Sequence, residues 1–393
     1  MKFLDKYQKY KTGNNFKNYL NSLNSDNINK DLFSYKQTFE KFYITKEIII
    51  KNYNSVENIK AITYYTFNGN FSVPFTINKY KSYYHILFEY PIEFDSLEIH
   101  CSDPINKLNI SIINPIKKKC KLLVVGIFKK LSNTQQINFI DLVSRLDNYV
   151  DNMKCVLITN DSIEKDYRYL KDCNKIEIIN LKLNTKDKRS VSKDKTFKPI
   201  YNNKMYQYTT YQYLSFLRNL YIKEIKKDKY REYQYVLVID PDLNSKISCI
   251  GILDSIDLLT IENYGVSANG LGKNNMYYDK FALRITTENV KNLEYSSKKF
   301  PNIFNYWNYL NKTNNIKQIS HPIKTISSFG GICIYNLNYI KKNNIKYDVE
   351  SEDCEHIGFN RHFDQIILNP KMLYLYGTNI IDQNMLISQY NSK

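Results

Sequence analysis

The chain has 393 residues, 43% apolar and 15% aromatic, which suits two or three domains with real cores and excludes a disordered chain. A formal charge of +17 admits an anionic substrate, a membrane surface or nucleic acid. The lysines are spread along the chain, and the runs Lys117-Lys118-Lys119 and Lys226-Lys227 are short, so a general basic surface is the simpler reading and no specific nucleic-acid partner is expected. Seven cysteines without a Cys-x-x-Cys speak for a reducing compartment and against a zinc knuckle. The N-terminal MKFLDKYQKYK lacks an apolar signal region and no segment approaches a membrane span, so a cytoplasmic location is expected.

In chain order, residues 1 to about 45 are polar, with two patches that read as helical, 16–23 and 32–42. Short apolar runs at 47–50, 61–67, 83–90, 96–101 and 108–113, separated by turn residues, predict a small, mostly antiparallel β domain. The segment 114–121 reads as a junction. The expected domains are therefore 1–115, an accessory domain β-rich after about residue 45, and 116–393. From there the pattern becomes β-α-β. A buried strand at 120–128 is followed by a helix at 136–150, with Phe139, Ile140, Leu142, Val143 and Leu146 inward. Strands follow at 154–161 and 175–181. Residues 184–203 form a Lys/Ser/Thr-rich loop without periodicity, a candidate mobile segment. An amphipathic helix at 211–227 then feeds the most informative strand.

That strand is YQYVLVIDPDL, 233–243. Val236, Leu237, Val238 and Ile239 run unbroken into Asp240-Pro241-Asp242, as in a strand of a parallel sheet buried on both faces. Such a strand delivers its carboxylates at its C-terminal end, where open α/β sheets bind ligands. Two aspartates one residue apart suit a hard cation that also holds phosphate oxygens. An ordinary strand end is the bland alternative. An aspartyl-phosphate enzyme fits less well, because Asn244 stands where those enzymes place Thr or Val.

Taken together, five segments resemble the GT-A glycosyltransferases, most closely those of giant viruses and the fungal capsule-associated mannosyltransferase family. The resemblance covers roughly residues 120–370. VLITNDSIEKDYRYLKD resembles the strand and turn that receive the nucleoside, which implicates Asn160, Asp161 and Ser162. FLRNLYIKEI matches at Arg218 and Asn219, and a guanidinium there suits a phosphate. YQYVLVIDPDL implies that Asp240 and Asp242 hold Mn2+ or Mg2+ on the donor diphosphate. YGVSANGLGKNNMYYDKFALR resembles an Ala-Asn-Gly turn followed by a Tyr-Asp segment, which implicates Asn269, Gly270, Tyr278, Asp279 and Arg284. An Asp279–Arg284 pair is the structural alternative there. SSFGGICIYN and VESEDCEHIGFNRHF resemble the end of the catalytic domain. Gly330 and Gly331 would let backbone approach the sugar. Asp353 would take the acceptor's proton, with Glu352 and Glu355 as rivals, and His356 would complete the metal shell ahead of His362. Acids at a helix N-terminus also have a plain capping role.

The resemblance implies an α/β fold: a GT-A, Rossmann-like nucleotide-diphospho-sugar transferase domain preceded by a smaller, mostly β domain. It implies a metal-dependent hexosyl- or pentosyltransferase that moves sugar from a UDP- or GDP-sugar to a hydroxyl of a glycan or glycoprotein, with inversion. For a viral chain the place would be the host cytoplasm, a viral factory or the virion. A catalytically inactive glycan- or nucleotide-binding module is the second reading, and a nucleic-acid-binding protein the third.

Overall fold

The computed structural model describes residues 33–51, 59–80, 82–101, 108–184, 186–189, 195–272, 277–285, 321–351, 353–376 and 382–389. Its contacts divide the chain into two compact units, Met1–Pro115 and Ile116–Lys393.

The first unit is one sheet. Its strands are β1 (Phe33–Lys51), β2 (Ile59–Thr66), β3 (Gly69–Ser72), β4 (Phe75–Lys79), β5 (Tyr83–Cys101) and β6 (Asn109–Ile113). All pairs are antiparallel, in the order β3-β2-β5-β1-β6, with β4 also on β5. Ile44, Ile48 and Ile50 of β1 and Ile86, Phe88, Ile92, Phe94, Leu97 and Ile99 of β5 form the buried face. The helix expected over 32–42 is corrected here, because this stretch belongs to β1. Tyr35, Gln37 and Phe39 are half-buried while Ser34, Lys36 and Thr38 are exposed, a period of two set by pairing with β5. The runs 83–90 and 96–101 are one strand. The helix expected at 16–23 lies outside the described residues.

The second unit is built from β7 (Lys118–Phe128), α1 (Asn133–Tyr149), β8 (Val150–Asn160) and β9 (Ile176–Leu181). Two short hairpins follow, β10 (Lys186–Arg189) with β11 (Lys195–Lys198), and β12 (Ile200–Tyr201) with β13 (Lys204–Met205). They stand where a structureless loop is expected. Then come α2 (Thr210–Ile225), β14 (Tyr235–Ile239), α3 (Ile250–Leu258), β15 (Tyr264–Leu271), β16 (Ile323–Thr325), β17 (Ile332–Asn336), α4 (Leu337–Lys342), α5 (Glu355–Asn360), β18 (Gln365–Leu375) and α6 (Gln383–Gln389). Capping boxes start both long helices, Ser132 with Gln135 and Thr209 with Gln212.

The sheet order is β16-β18-β15-β17-β14-β7-β8-β9. β14, β7, β8 and β9 are parallel, and β17 runs antiparallel to both β14 and β15. From β7 the chain moves outward through β8 to β9, then returns to the other side of β7 as β14. This reversal makes β7/β14 a topological switch point, with a crevice at the strands' carboxyl ends. Among the described residues no helix is long and apolar enough to cross a membrane.

Candidate active site

Val236, Leu237, Val238 and Ile239 of β14 are fully buried, and Asp240 follows at the carboxyl end. The Asp240 N–H donates to the Gly331 carbonyl at 3.0 Å. A Cβ on Gly126 of β7 would stand 2.5 Å from the Ile239 carbonyl oxygen and 3.3 Å from Pro241 Cδ. Glycine is therefore what lets the Asp-Pro-Asp turn close over β7. The Asp240 side chain is 32% exposed and Asp242 is exposed, so both carboxylates reach the crevice.

Behind them stands Arg218, a residue of the inward face of α2, with a side chain only 4% exposed. Its Nη2 donates to Asp240 Oδ1 at 3.1 Å and its Nε to Glu355 Oε1 at 3.0 Å. Its guanidinium carbon lies 5.3 Å from the centre of the Phe329 ring. Burial pushes the Asp240 carboxyl up to about 7, the Asp242 charge adds to this, and Arg218 opposes it. Two carboxylates, Asp240 and Glu355, thus meet the Arg218 guanidinium, and Asp242 adds its charge beside Asp240. The surplus of negative charge and the hard oxygen donors fit a divalent cation. Among the described residues no group of three or more His, Cys, Asp or Glu is arranged to hold a metal. A cation on the two aspartates would therefore draw the rest of its shell from phosphate and water.

Two side chains that sequence reasoning missed hold the turn. Tyr374 Oη donates to Asp242 Oδ1 at 3.2 Å, and Gln135 Nε2 donates to the Asp242 carbonyl at 3.2 Å. Nothing in the sequence distinguishes Tyr374 among 36 tyrosines. Gln135 is legible only as the reciprocal member of the α1 capping box.

The other expected residues divide into those at this edge and those with structural work. Ala268-Asn269-Gly270 is not a turn but part of β15, where Asn269 is 1% exposed. A Cβ on Gly270 would meet the Tyr278 ring at 2.4 Å, one on Gly331 the Tyr374 ring at 2.6 Å, and one on Gly330 the Ala268 carbonyl at 2.2 Å. These glycines make room for the protein's own atoms. Gly330 and Gly331 also have φ of +62° and +89°, which glycine adopts readily. Asp279 accepts from the N–H of Gly330 at 3.0 Å and of Ala282 at 3.4 Å. Burial, opposed by these donors, pushes its carboxyl up to about 6.

Asn160, Asp161 and Ser162 sit at the carboxyl end of β8, one strand beyond β7. Asp161 is in the left-handed region at φ +50°, and its Oδ1 accepts from the N–H groups of Leu183 and Asn184, both at 2.9 Å. Ser162 Oγ donates to the Lys129 carbonyl at 2.5 Å. The turn is thereby tied to the loops after β7 and β9, and both polar groups are already engaged. Asn219 exchanges two hydrogen bonds with the backbone of Tyr347, at 2.9 and 2.8 Å.

Asp353 faces Arg284. Arg284 Nη2 donates to both of its oxygens, at 3.3 and 3.2 Å, and the pair is 0% and 4% exposed. Its partner also replaces the Asp279–Arg284 pair. His356 stacks on Phe329 with ring centroids 3.6 Å apart, and neither ring nitrogen makes a hydrogen bond. Burial, with the Arg218 charge adding to it, holds its pKa well below the ordinary value. Its Nε2 lies 3.5 Å from Glu355 Oε1. His362 is exposed. Glu352 lies outside the described residues. Glu355 begins α5 and meets Arg218.

No family model and no curated protein matches the chain. Among solved structures it is similar to S. aureus TarS 1-349, at 13% identity over 65% of this chain and 60% of that one, with a TM-score of 0.36. It is also similar to the mannosyltransferase PcManGT from Pyrobaculum calidifontis, solved in complex with GDP-Man and Mn2+. That match has 8% identity over 66% of this chain and 57% of the other, with a TM-score of 0.34. The chain spans less than two thirds of either structure. The likeness is to a mixed α/β fold found among glycosyltransferase structures, and at these TM-scores it carries nothing about chemistry.

Proposed function

We propose that the second unit is a GT-A-type glycosyltransferase. It moves a sugar from a UDP- or GDP-sugar to a hydroxyl of a glycan or glycoprotein, with inversion at the anomeric carbon. The observation that carries this reading is the Asp240/Asp242 pair at the carboxyl end of β14, backed by buried Arg218. Asp240 and Asp242 hold Mn2+ or Mg2+, which when bound neutralises the charge developing on the departing nucleoside diphosphate. Arg218 fixes Asp240 and Glu355 relative to one another. Glu355 is the base: it takes the acceptor's proton as the acceptor oxygen bonds to the anomeric carbon and the bond to the diphosphate breaks. The nucleoside lies toward Asn160 at the end of β8. Asn269 and Asp279, beside the Gly330 turn, line the sugar side.

Donor hydrolysis tests this without knowledge of the acceptor. With UDP- and GDP-sugars, Mn2+-dependent release of nucleoside diphosphate is expected from the wild type. Asp242→Ala should abolish it with little change in melting temperature, since Asp242 is exposed. Full hydrolysis by Asp242→Ala, or none by the wild type with any donor, removes the reading.

A further inference from the structure

We propose that Tyr374 is a positioning residue that sets the rotamer of Asp242 and leaves one defined carboxylate oxygen for a divalent cation. The inference rests on the reading of Asp240 and Asp242 as a cation site and adds a residue that neither motif nor resemblance supplies.

Asp242 is itself exposed between buried Pro241 and Leu243, and an exposed carboxylate is free to sample rotamers. Tyr374 Oη reaches across from β18, 3.2 Å from Asp242 Oδ1 and 3.4 Å from the Asp240 carbonyl oxygen. Asp240 is meanwhile held by Arg218 from the other side. The two carboxylates are therefore aimed by different donors. With Oδ1 engaged by the hydroxyl, Oδ2 is the oxygen turned to a cation.

The tyrosine is itself locked. Its ring fills the space a Gly331 side chain would need. Its other neighbour is Tyr278, stacked with a centroid separation of 6.0 Å. Tyr278 in turn occupies the space beside Gly270 and stacks on Tyr376 at 4.8 Å. Gly270 and Gly331 thus seat a wall of rings behind the aspartates. The phenol is the O–H donor and the carboxylate oxygen the acceptor. Packing alone would be served equally by phenylalanine, and the hydroxyl is what the aspartates use.

The test is Tyr374→Phe, which keeps the ring. Mn2+ binding is followed by electron paramagnetic resonance, alone and with GDP or UDP. Affinity should fall about tenfold, the scale of one hydrogen bond to a charged group. The half-saturating Mn2+ in donor hydrolysis should rise by the same factor, with kcat at saturating Mn2+ within about threefold of wild type. The loss should vanish when Asp242→Asn is already present, since the hydroxyl acts through that carboxylate. Tyr230→Phe removes a hydroxyl bonded to Glu177 at the opposite end of β14 and should leave Mn2+ affinity unchanged. Unchanged Mn2+ affinity in Tyr374→Phe overturns the proposal while leaving the cation site in place. Loss of the melting transition in that variant assigns the hydroxyl to the fold and also overturns it. Absence of Mn2+ binding by the wild type removes both readings.

Discussion

Arg218 and Arg284 are both buried, and each meets an acid of the 353–355 segment, yet their surroundings differ. Arg284 is sealed: its Nη1 donates to the carbonyls of Phe281 and Leu283, at 2.9 and 2.8 Å, and its Nη2 to Asp353. Arg218 is shared between two carboxylates, and one of them, Asp240, opens to the crevice. A guanidinium held by backbone carbonyls and one acid locks the chain. A guanidinium outnumbered by acids leaves charge for a ligand to complete. The largest expected effect follows from the sealed pair. Arg284→Leu strands Asp353 in the interior and should cost about 3–5 kcal/mol in urea denaturation. A loss below about 1 kcal/mol would mean that Asp353 finds water, and the two arginines would then be alike.

The same contrast separates the two acids. Glu355→Gln keeps an oxygen for Arg218 but cannot take a proton. The kcat for Mn2+-dependent donor hydrolysis should drop about 10²–10⁴-fold, with nucleotide affinity unchanged. Asp353→Asn should instead lower stability and leave kcat within a few-fold. The reverse pattern in steady-state kinetics would return the base to Asp353 and make Glu355 the structural acid.

Much of the fold was legible because β7, β8 and β14 are unbroken apolar runs, and burial on both faces writes itself into sequence as continuity. The start of β1 was not. Residues 33–42 mix aromatic, lysine and threonine in a way that local reading leaves ambiguous, and pairing with β5 decides it. The resemblance implies a turn at Ala268-Asn269-Gly270. It is a strand because it pairs with β18, Asn269 opposite Leu373 and Gly270 opposite Tyr374, partners about a hundred residues away. At the site, the residue types that converge, Arg218, Asp240, Asp242 and Glu355, were named in advance. Their pairing was not, because it depends on which acid reaches which arginine across 69 and 137 residues of chain. Spacing within a motif carries no record of that. Tyr374 was invisible for the same reason.

A third acid sharpens the comparison at the smallest scale. Asp279 is held by backbone N–H groups, and burial lifts its carboxyl to about 6, against about 3.9 for an unfolded aspartate. Between those values the folded state holds more protons than the unfolded one. Its contribution to stability is therefore complete below about pH 4 and is lost as the pH rises through about 6. Asp279→Asn removes this dependence, so wild type should lose about 1–2 kcal/mol relative to the variant between pH 4 and 7, allowing for partial exposure. Denaturation at both pH values measures the difference. Parallel stability curves would show that the Gly330 and Ala282 N–H groups compensate the charge as fully as a guanidinium does, and the distinction between sealed and open acids would then rest on Arg218 alone.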